Sequence, residues 1–148
     1  MEYIRIKGTD IESSRIGLGA WAIGGWLWGG SEEKESIDTI HTALDNGITL
    51  IDTAAIYGFG RSEEIVGKAV SEYGGRDKII IATKGGLDWT SGKIYRNSTK
   101  ARINQEVEDS LERLKTDYID IYQIHWPDFD TPFEEAAEAM YELHKSGK

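Results

Sequence analysis

Three polar residues each end an apolar run whose composition is typical of a β-strand. Asp52 ends the run ITLID, Lys84 ends KIIIATK, and His125 ends YIDIYQIH, while Tyr57 follows a short loop after Asp52. The carboxyl ends of parallel strands lie on one face of a sheet, and in α/β barrels that face carries the active site. We therefore expect these four side chains to share one pocket.

An amine, a carboxylate, a phenol and an imidazole in one pocket can protonate a carbonyl oxygen while a hydride arrives at its carbon. A phenol is a weak acid, with a reference pKa of about 10, but a nearby ammonium favours its anion and makes it a better proton donor. Lys84 is predicted to act on Tyr57 in this way, and Asp52 to keep Lys84 charged and oriented. His125 is predicted to donate a hydrogen bond to the substrate oxygen.

Each of these residues, taken alone, also has an ordinary structural interpretation. Asp52 could be a turn residue, and His125 could be a hydrogen-bonded core histidine. Lys84 could mark the entrance to a loop, and Tyr57 could simply pack. A different chemistry would make Lys84 a Schiff-base lysine of an aldolase-like barrel. The four residues together favour proton donation to a carbonyl group.

The pattern around these residues predicts strands alternating with helices. An N-terminal hairpin is expected from YIRIKG and DIESSRIGLG, and strands from residues 16–19, 48–52, 78–84 and 118–125. Helices are expected from Ser31 or Glu32 to Asn46, over Ser62–Tyr73, near Thr99–Leu114, and from Pro132, at an N1-like position after Thr131, to Ser146 and Gly147. Such alternation predicts a parallel sheet, either doubly wound or in an α/β barrel. GLGAWAIGG lacks the regular glycine spacing of a dinucleotide fingerprint, and the polar strand ends suit a barrel.

Composition and charge exclude several classes of protein. The 148 residues are 39% hydrophobic and 29% charged, as in an ordinary folded domain. A net charge of -9 argues against binding to nucleic acid, and the absence of cysteine excludes disulfides and thiolate metal sites. There is no signal-peptide-like start and no membrane-length apolar run. We predict a cytoplasmic protein that binds neither a metal ion nor a membrane.

The tryptophans and one long loop are further candidates for a binding role. Trp21 and Trp126 follow strands directly, and we predict that they line the substrate pocket. Trp26, Trp28 and Trp89 are given no role, since they could equally pack loops onto the rim. The polar segment GGLDWTSGKIYRN after the third strand is long enough to be a candidate lid.

Four segments resemble the aldo-keto reductase superfamily in the right order and spacing. They are IGLGAW, GITLIDTAAIYGFGRSEEIVGKAV, IATKGG and DYIDIYQIHWPD. The resemblance implies a (β/α)8 barrel that binds NADPH, with NADH as the alternative, in an extended conformation and reduces an aldehyde or ketone. It places the family's catalytic tetrad on Asp52, Tyr57, Lys84 and His125, with Tyr57 as general acid. It also implies that Gly19, Ala20 and Trp21, together with Asp52, contribute to the wall around the nicotinamide.

The chain is too short for the whole barrel that this resemblance implies. An eightfold barrel typically takes about 250 residues and at least about 200. Residues 1–148 are therefore expected to be the N-terminal half, with four strand–helix units, while most of the dinucleotide site would belong to the other half. Cut edges and an apolar inner face predict a partner: a separate second half, another copy of this chain, or the rest of a longer protein, which we favour. The alternative function is a non-catalytic half-barrel module for folding or interaction.

Overall fold

The computed structural model describes residues 1–30 and 32–148. An antiparallel hairpin of β1 (Tyr3–Arg5) and β2 (Glu12–Ser14) precedes the main sheet. That sheet has four strands, adjacent in chain order: β3 (Gly17–Gly19), β4 (Leu50–Asp52), β5 (Ile80–Gly85) and β8 (Ile121–Ile124). All three of its pairings are parallel. The predicted hairpin and half-barrel are thus confirmed.

Each main strand is followed by a helix, as the alternation predicted. The helices are α1 (Glu33–Asp45), α2 (Arg61–Tyr73), α3 (Lys100–Leu114) and α4 (Phe133–Ser146). The possible start of α1 at Ser31 lies outside the described residues. Thr99 is the N-cap of α3, where its side chain accepts a hydrogen bond from the amide of Arg102.

The start of α4 differs from the prediction at one position. Pro132 is the N-cap residue, with an extended ψ of 134°, and not the first helical residue. No side chain caps this helix end, and the hydroxyl of Thr131 donates to the carboxylate of Asp128 at 2.7 Å.

The segment after β5 forms a hairpin instead of an irregular loop. Strands β6 (Leu87–Thr90) and β7 (Lys93–Arg96) pair antiparallel. The two residues between them, Ser91 and Gly92, both have positive φ, which is the backbone requirement of a type I′ turn. The hairpin is anchored because Leu87 is buried with Ala54 and Ile56 in a small second core.

The main core lies between the sheet and the helices. Its largest fully buried aliphatic side chains include Ile40 of α1, Ile51 of β4, Ile65 of α2, Ile81 of β5 and Ile103 of α3. Burying each such side chain stabilises the fold by roughly 1.5–3 kcal/mol, as an upper estimate. The first and last strands of this sheet, β3 and β8, each have one neighbour within the sheet.

In the part of the chain that the structure describes, no helix is long and apolar enough to cross a membrane.

Candidate active site

The carboxylate and the amine predicted from the strand ends form an ion pair. Strands β4 and β5 are neighbours with Asp52 opposite Ala82, so Lys84 extends past the end of β4. Its ammonium donates to both carboxylate oxygens of Asp52, at 2.8 and 2.9 Å, and to the carbonyl of Thr53 at 2.9 Å. The lysine side chain is 15% exposed and that of Asp52 is 40% exposed. The amine is therefore fixed in place, while the carboxylate keeps a solvent-accessible side.

Tyr57 lies between this ion pair and the histidine. The ammonium nitrogen of Lys84 is 5.2 Å from the centroid of the Tyr57 ring. The ring of His125 meets the same tyrosine edge-on, with the centroids 5.7 Å apart. Trp21 stacks on Tyr57 with 6.0 Å between centroids. All four residues that were expected to converge thus lie at one end of the sheet.

A close backbone contact fixes the turn that carries Tyr57. Gly58 has a φ of +63°, and a Cβ on it would lie 2.1 Å from the carbonyl oxygen of Gly24. A Cβ on Gly24 would in turn lie 2.7 Å from the carbonyl carbon of Tyr57. Because only glycine fits at both positions, the tyrosine turn packs directly on the turn that follows Trp21.

His125 extends the end of β8 and has one buried ring nitrogen without a partner among the described residues. Its backbone amide donates to the carbonyl of Gly85 at 2.8 Å, and this bond extends the pairing of β5 and β8. Its Nδ1 atom is buried and has no hydrogen-bond partner among the described residues. Burial lowers the pKa of His125, and the ammonium of Lys84 lowers it further, against a smaller opposing effect of Asp52. The neutral imidazole that this favours has one N–H donor.

An apolar cavity of about 250 Å³ opens beside these groups. Tyr57 and His125 line it together with Trp21 and Trp126, the two tryptophans predicted for the pocket. Sequence reasoning did not identify its remaining lining residues, which are Trp26, Ile56 and Ile94. A cleft of about 340 Å³ lies elsewhere, on the helical side near Arg61 and Lys68. We assign the smaller cavity as the candidate site because it alone of the two contacts the predicted tetrad.

The three tryptophans that had no predicted role belong to aromatic contacts around the cavity, and one of them lines it. Trp28 packs edge-on against Trp21, with the ring centroids 5.6 Å apart. Phe59 contacts Trp26 at 5.2 Å and Trp89 at 6.0 Å between centroids. Trp26 therefore both lines the cavity and ties it to the β6–β7 hairpin.

The residues expected to face a nicotinamide lie at the end of β3, where Gly19 pairs with Asp52. A Cβ on Gly19 would meet no atom within 4 Å, so the space in front of this residue is open. Ala20 is fully buried and its amide donates to the carbonyl of Asp52 at 2.8 Å. Trp21 is 44% exposed. Gly19, Trp21 and the carboxylate of Asp52 are thus accessible, whereas Ala20 is enclosed.

Two buried glutamates lie behind the lysine strand, and sequence reasoning did not identify them. Glu63 of α2 accepts hydrogen bonds from Thr83 at 2.6 Å and from Arg113 at 2.7 Å. Glu106 of α3 accepts one from the amide of Gly86 at 2.7 Å. Thr83 and Gly86 lie on either side of Lys84 in the chain. Both glutamates therefore hold the strand end that carries the lysine.

The carboxyl group of Glu106 is expected to make stability depend on pH. Burial raises its pKa from 4.5 to about 7, although Arg102, 3.4 Å away, opposes this effect. The folded state therefore holds this proton more tightly than the unfolded state. The contribution is fully present below pH 4.5 and is lost as the pH rises to about 7. The loss amounts to about 3 kcal/mol in the free energy of unfolding.

Chemical denaturation of the native chain and of Glu106→Gln across this pH range measures the effect. The glutamine can still accept the Gly86 hydrogen bond but does not titrate, so the difference in stability between the two proteins should change across the range. A constant difference would contradict the assignment to Glu106.

A half-barrel whose carboxyl rim carries a compact set of polar groups beside an apolar cavity belongs to the α/β-barrel class of protein. The family model described as Aldo/keto reductase family matches residues 15–148. The chain belongs to this family, as its four motifs indicated.

Individual relatives are also reductases or dehydrogenases by name, and the alignments show what share of their length this chain covers. It is 64% identical over 148 residues to Aldo-keto reductase YhdN of Bacillus subtilis (strain 168), covering all of this chain and 45% of that protein. It is 42% identical to the NADH-specific methylglyoxal reductase of Escherichia coli (strain K12), covering 50% of it. The structure of a glycerol dehydrogenase from Gluconobacter oxydans is 53% identical, with a TM-score of 0.90 over 99% of this chain and 46% of that one. The chain thus spans about half the length of these relatives.

Proposed function

We propose that residues 1–148 are the N-terminal half of an aldo-keto reductase barrel domain that reduces aldehydes or ketones to alcohols with NADPH. The observation that carries the proposal is the position of the Lys84 ammonium. It is bound by Asp52 and lies 5.2 Å from the centroid of the Tyr57 ring, and that ring lines an apolar cavity. A fixed cation beside a phenol supports proton donation by that phenol.

The chain's own residues would act on the carbonyl oxygen. Tyr57 gives its phenolic proton to this oxygen as the carbonyl π bond breaks, and His125 donates a hydrogen bond to the same atom. Lys84 stabilises the tyrosinate that remains, and Tyr57 regains a proton from solvent. When bound, the reduced nicotinamide supplies the hydride that forms the new C–H bond, and it is oxidised as the substrate is reduced.

The choice of cofactor is part of the proposal. Gly19, Trp21 and Asp52 would face the nicotinamide, with Ala20 behind them. NADPH is the proposed donor, and NADH is the alternative because a relative that is 42% identical carries the name NADH-specific methylglyoxal reductase. Parallel assays with the two nucleotides distinguish them.

A structural complement to this chain is also proposed, because the sheet has two edges and the surface has exposed aromatic groups. Phe129 and Phe133 are 78% and 65% exposed, and Tyr141 on the same helix as Phe133 is 61% exposed. The complement would be the second half of the barrel, in the same polypeptide or as another chain, or a second copy of this one. A cytoplasmic location is also part of the proposal, and the absence of cysteine is compatible with it.

The test of this function combines turnover, binding and molecular mass. The protein as encoded, with any sequence beyond residue 148, should oxidise NADPH in the presence of benzaldehyde and form benzyl alcohol in equal amount. Binding of NADPH without any turnover over a range of aldehydes would contradict a reductase. No nucleotide binding, with a stable dimer by light scattering, would instead support the non-catalytic module.

A further inference from the structure

Arg96 is unusual among the arginines of the described residues because no carboxylate pairs with it. The other six arginines each have a carboxylate oxygen between 2.5 and 3.6 Å away; these are Arg5, Arg15, Arg61, Arg76, Arg102 and Arg113. Within residues 1–30 and 32–148 the side chain of Arg96 makes no ion pair or hydrogen bond. In a chain with a net charge of -9, a guanidinium without a carboxylate partner needs a separate explanation.

The contacts of Arg96 place it at the rim of the candidate site. Its guanidinium carbon is 5.8 Å from the centroid of the Trp126 ring and 6.0 Å from that of Phe129. Trp126 lines the cavity, and so does Ile94, which precedes Arg96 by two residues on β7. Alternate residues of a strand share a face, so Arg96 emerges from the side of the hairpin that carries Ile94.

The nearby acid on the histidine loop is occupied by other partners. Asp128 lies between Trp126 and Phe129 in sequence, but its carboxylate accepts from the amide of Ser98 at 2.8 Å and from the hydroxyl of Thr131 at 2.7 Å. It is 4% exposed. The positive charge at the rim is therefore left available to a ligand in the cavity.

We propose that Arg96 is a specificity-determining residue that selects carbonyl substrates carrying an anionic group, a carboxylate or a phosphate. A guanidinium binds either group through two parallel hydrogen bonds, and the ring of Trp126 supports its position by a cation–π contact. The carbonyl end would lie at Tyr57 and His125, and the anionic end at the mouth of the cavity. This inference rests on the proposed reductase function and specifies the substrate class of the same site.

The test compares matched substrates and matched variants in the protein as encoded, with any sequence beyond residue 148. Benzaldehyde is paired with 4-carboxybenzaldehyde, and glyceraldehyde with glyceraldehyde 3-phosphate, so the two pairs separate carboxylate from phosphate recognition. Arg96→Gln removes the guanidinium. Lys93→Gln removes the same charge from the other end of β7, where no cation–π contact is made, and it serves as the control.

Arg96→Gln is expected to lower the ratio of kcat/KM for the charged over the neutral aldehyde by about tenfold, in at least one pair, as loss of one charge-assisted contact predicts. Lys93→Gln should leave this ratio unchanged. An equal loss for charged and neutral substrates would overturn the proposal, because Arg96 would then serve only to hold Trp126. An unchanged ratio in both pairs would overturn it as well.

A binding measurement separates failure of this inference from failure of the reductase function. Tryptophan fluorescence, without cofactor, follows titration with 4-(hydroxymethyl)benzoate and with benzyl alcohol. If no aldehyde is reduced, the reductase function is contradicted. The titration then tests by itself whether Arg96 binds an anionic ligand. Binding of the benzoate weakened about tenfold by Arg96→Gln supports an anion site, whereas equal binding to both proteins rejects it.

Discussion

Replacing Tyr57 with phenylalanine is expected to reduce kcat for aldehyde reduction by about 10²- to 10⁴-fold, the usual contribution of a positioned general acid. The substitution removes the only atom of this side chain that can donate a proton. The ring itself is retained, so its stacking on Trp21 and its contact with the Lys84 ammonium should remain. Steady-state oxidation of NADPH with benzaldehyde measures the loss, and a nucleotide titration should give an unchanged Kd.

The matched control for this substitution is Tyr95→Phe. Tyr95 is 45% exposed on the β6–β7 hairpin, and its hydroxyl forms a hydrogen bond with the Thr90 hydroxyl at 3.1 Å. Removing this phenol should change kcat by less than about twofold, since exposed substitutions seldom matter. Retention of near-native turnover by Tyr57→Phe would contradict the assignment of Tyr57 as the acid.

Three members of the predicted tetrad could be placed from sequence because each of them ends an apolar run. Parallel pairing then brings Asp52, Lys84 and His125 to one rim, whatever the loops do. Tyr57 could be placed only as a loop residue shortly after Asp52, since a tyrosine in a loop has no periodicity to fix its position, and the resemblance then gave it a role. Its position is determined by the contact between Gly24 and Gly58, and that contact involves two backbones without a side-chain pattern.

The hairpin after β5 was less predictable, for a physical reason. Its segment is rich in turn-forming and polar residues, and its strands are only four residues long. What stabilises it is burial of Leu87 on Ala54 and Ile56, far apart in sequence. The β-propensity of a short segment does not predict a contact between residues so far apart in sequence. The polar composition therefore indicated a loop, although the Ser91–Gly92 pair was a usable turn signal.

The buried glutamates were missed because acids on a helix are usually exposed. Glu63 and Glu64 are adjacent in α2, yet Glu63 is fully buried and Glu64 is exposed. The one available signal was spacing, since Glu63 shares a helical face with Val66 and Val70. Its partners come from β5 and α3, which the sequence alone does not bring together. Lys84 thus owes its position to a network behind the strand as well as to Asp52.

Glu63→Ala is expected to lower the free energy of unfolding by about 3–5 kcal/mol, the usual effect of breaking a buried ion pair from one side. The substitution leaves the Arg113 guanidinium, whose side chain is 19% exposed, without its carboxylate, and it removes the acceptor of the Thr83 hydroxyl. Urea denaturation measures the change. Glu64→Ala on the same turn loses only an exposed contact with Arg61 at 3.5 Å and should cost less than about 1 kcal/mol. Equal losses in the two variants would mean that the network behind Lys84 contributes no more to the free energy of unfolding than a surface charge pair does. The strand end would then be held only by the Asp52 ion pair and by backbone pairing.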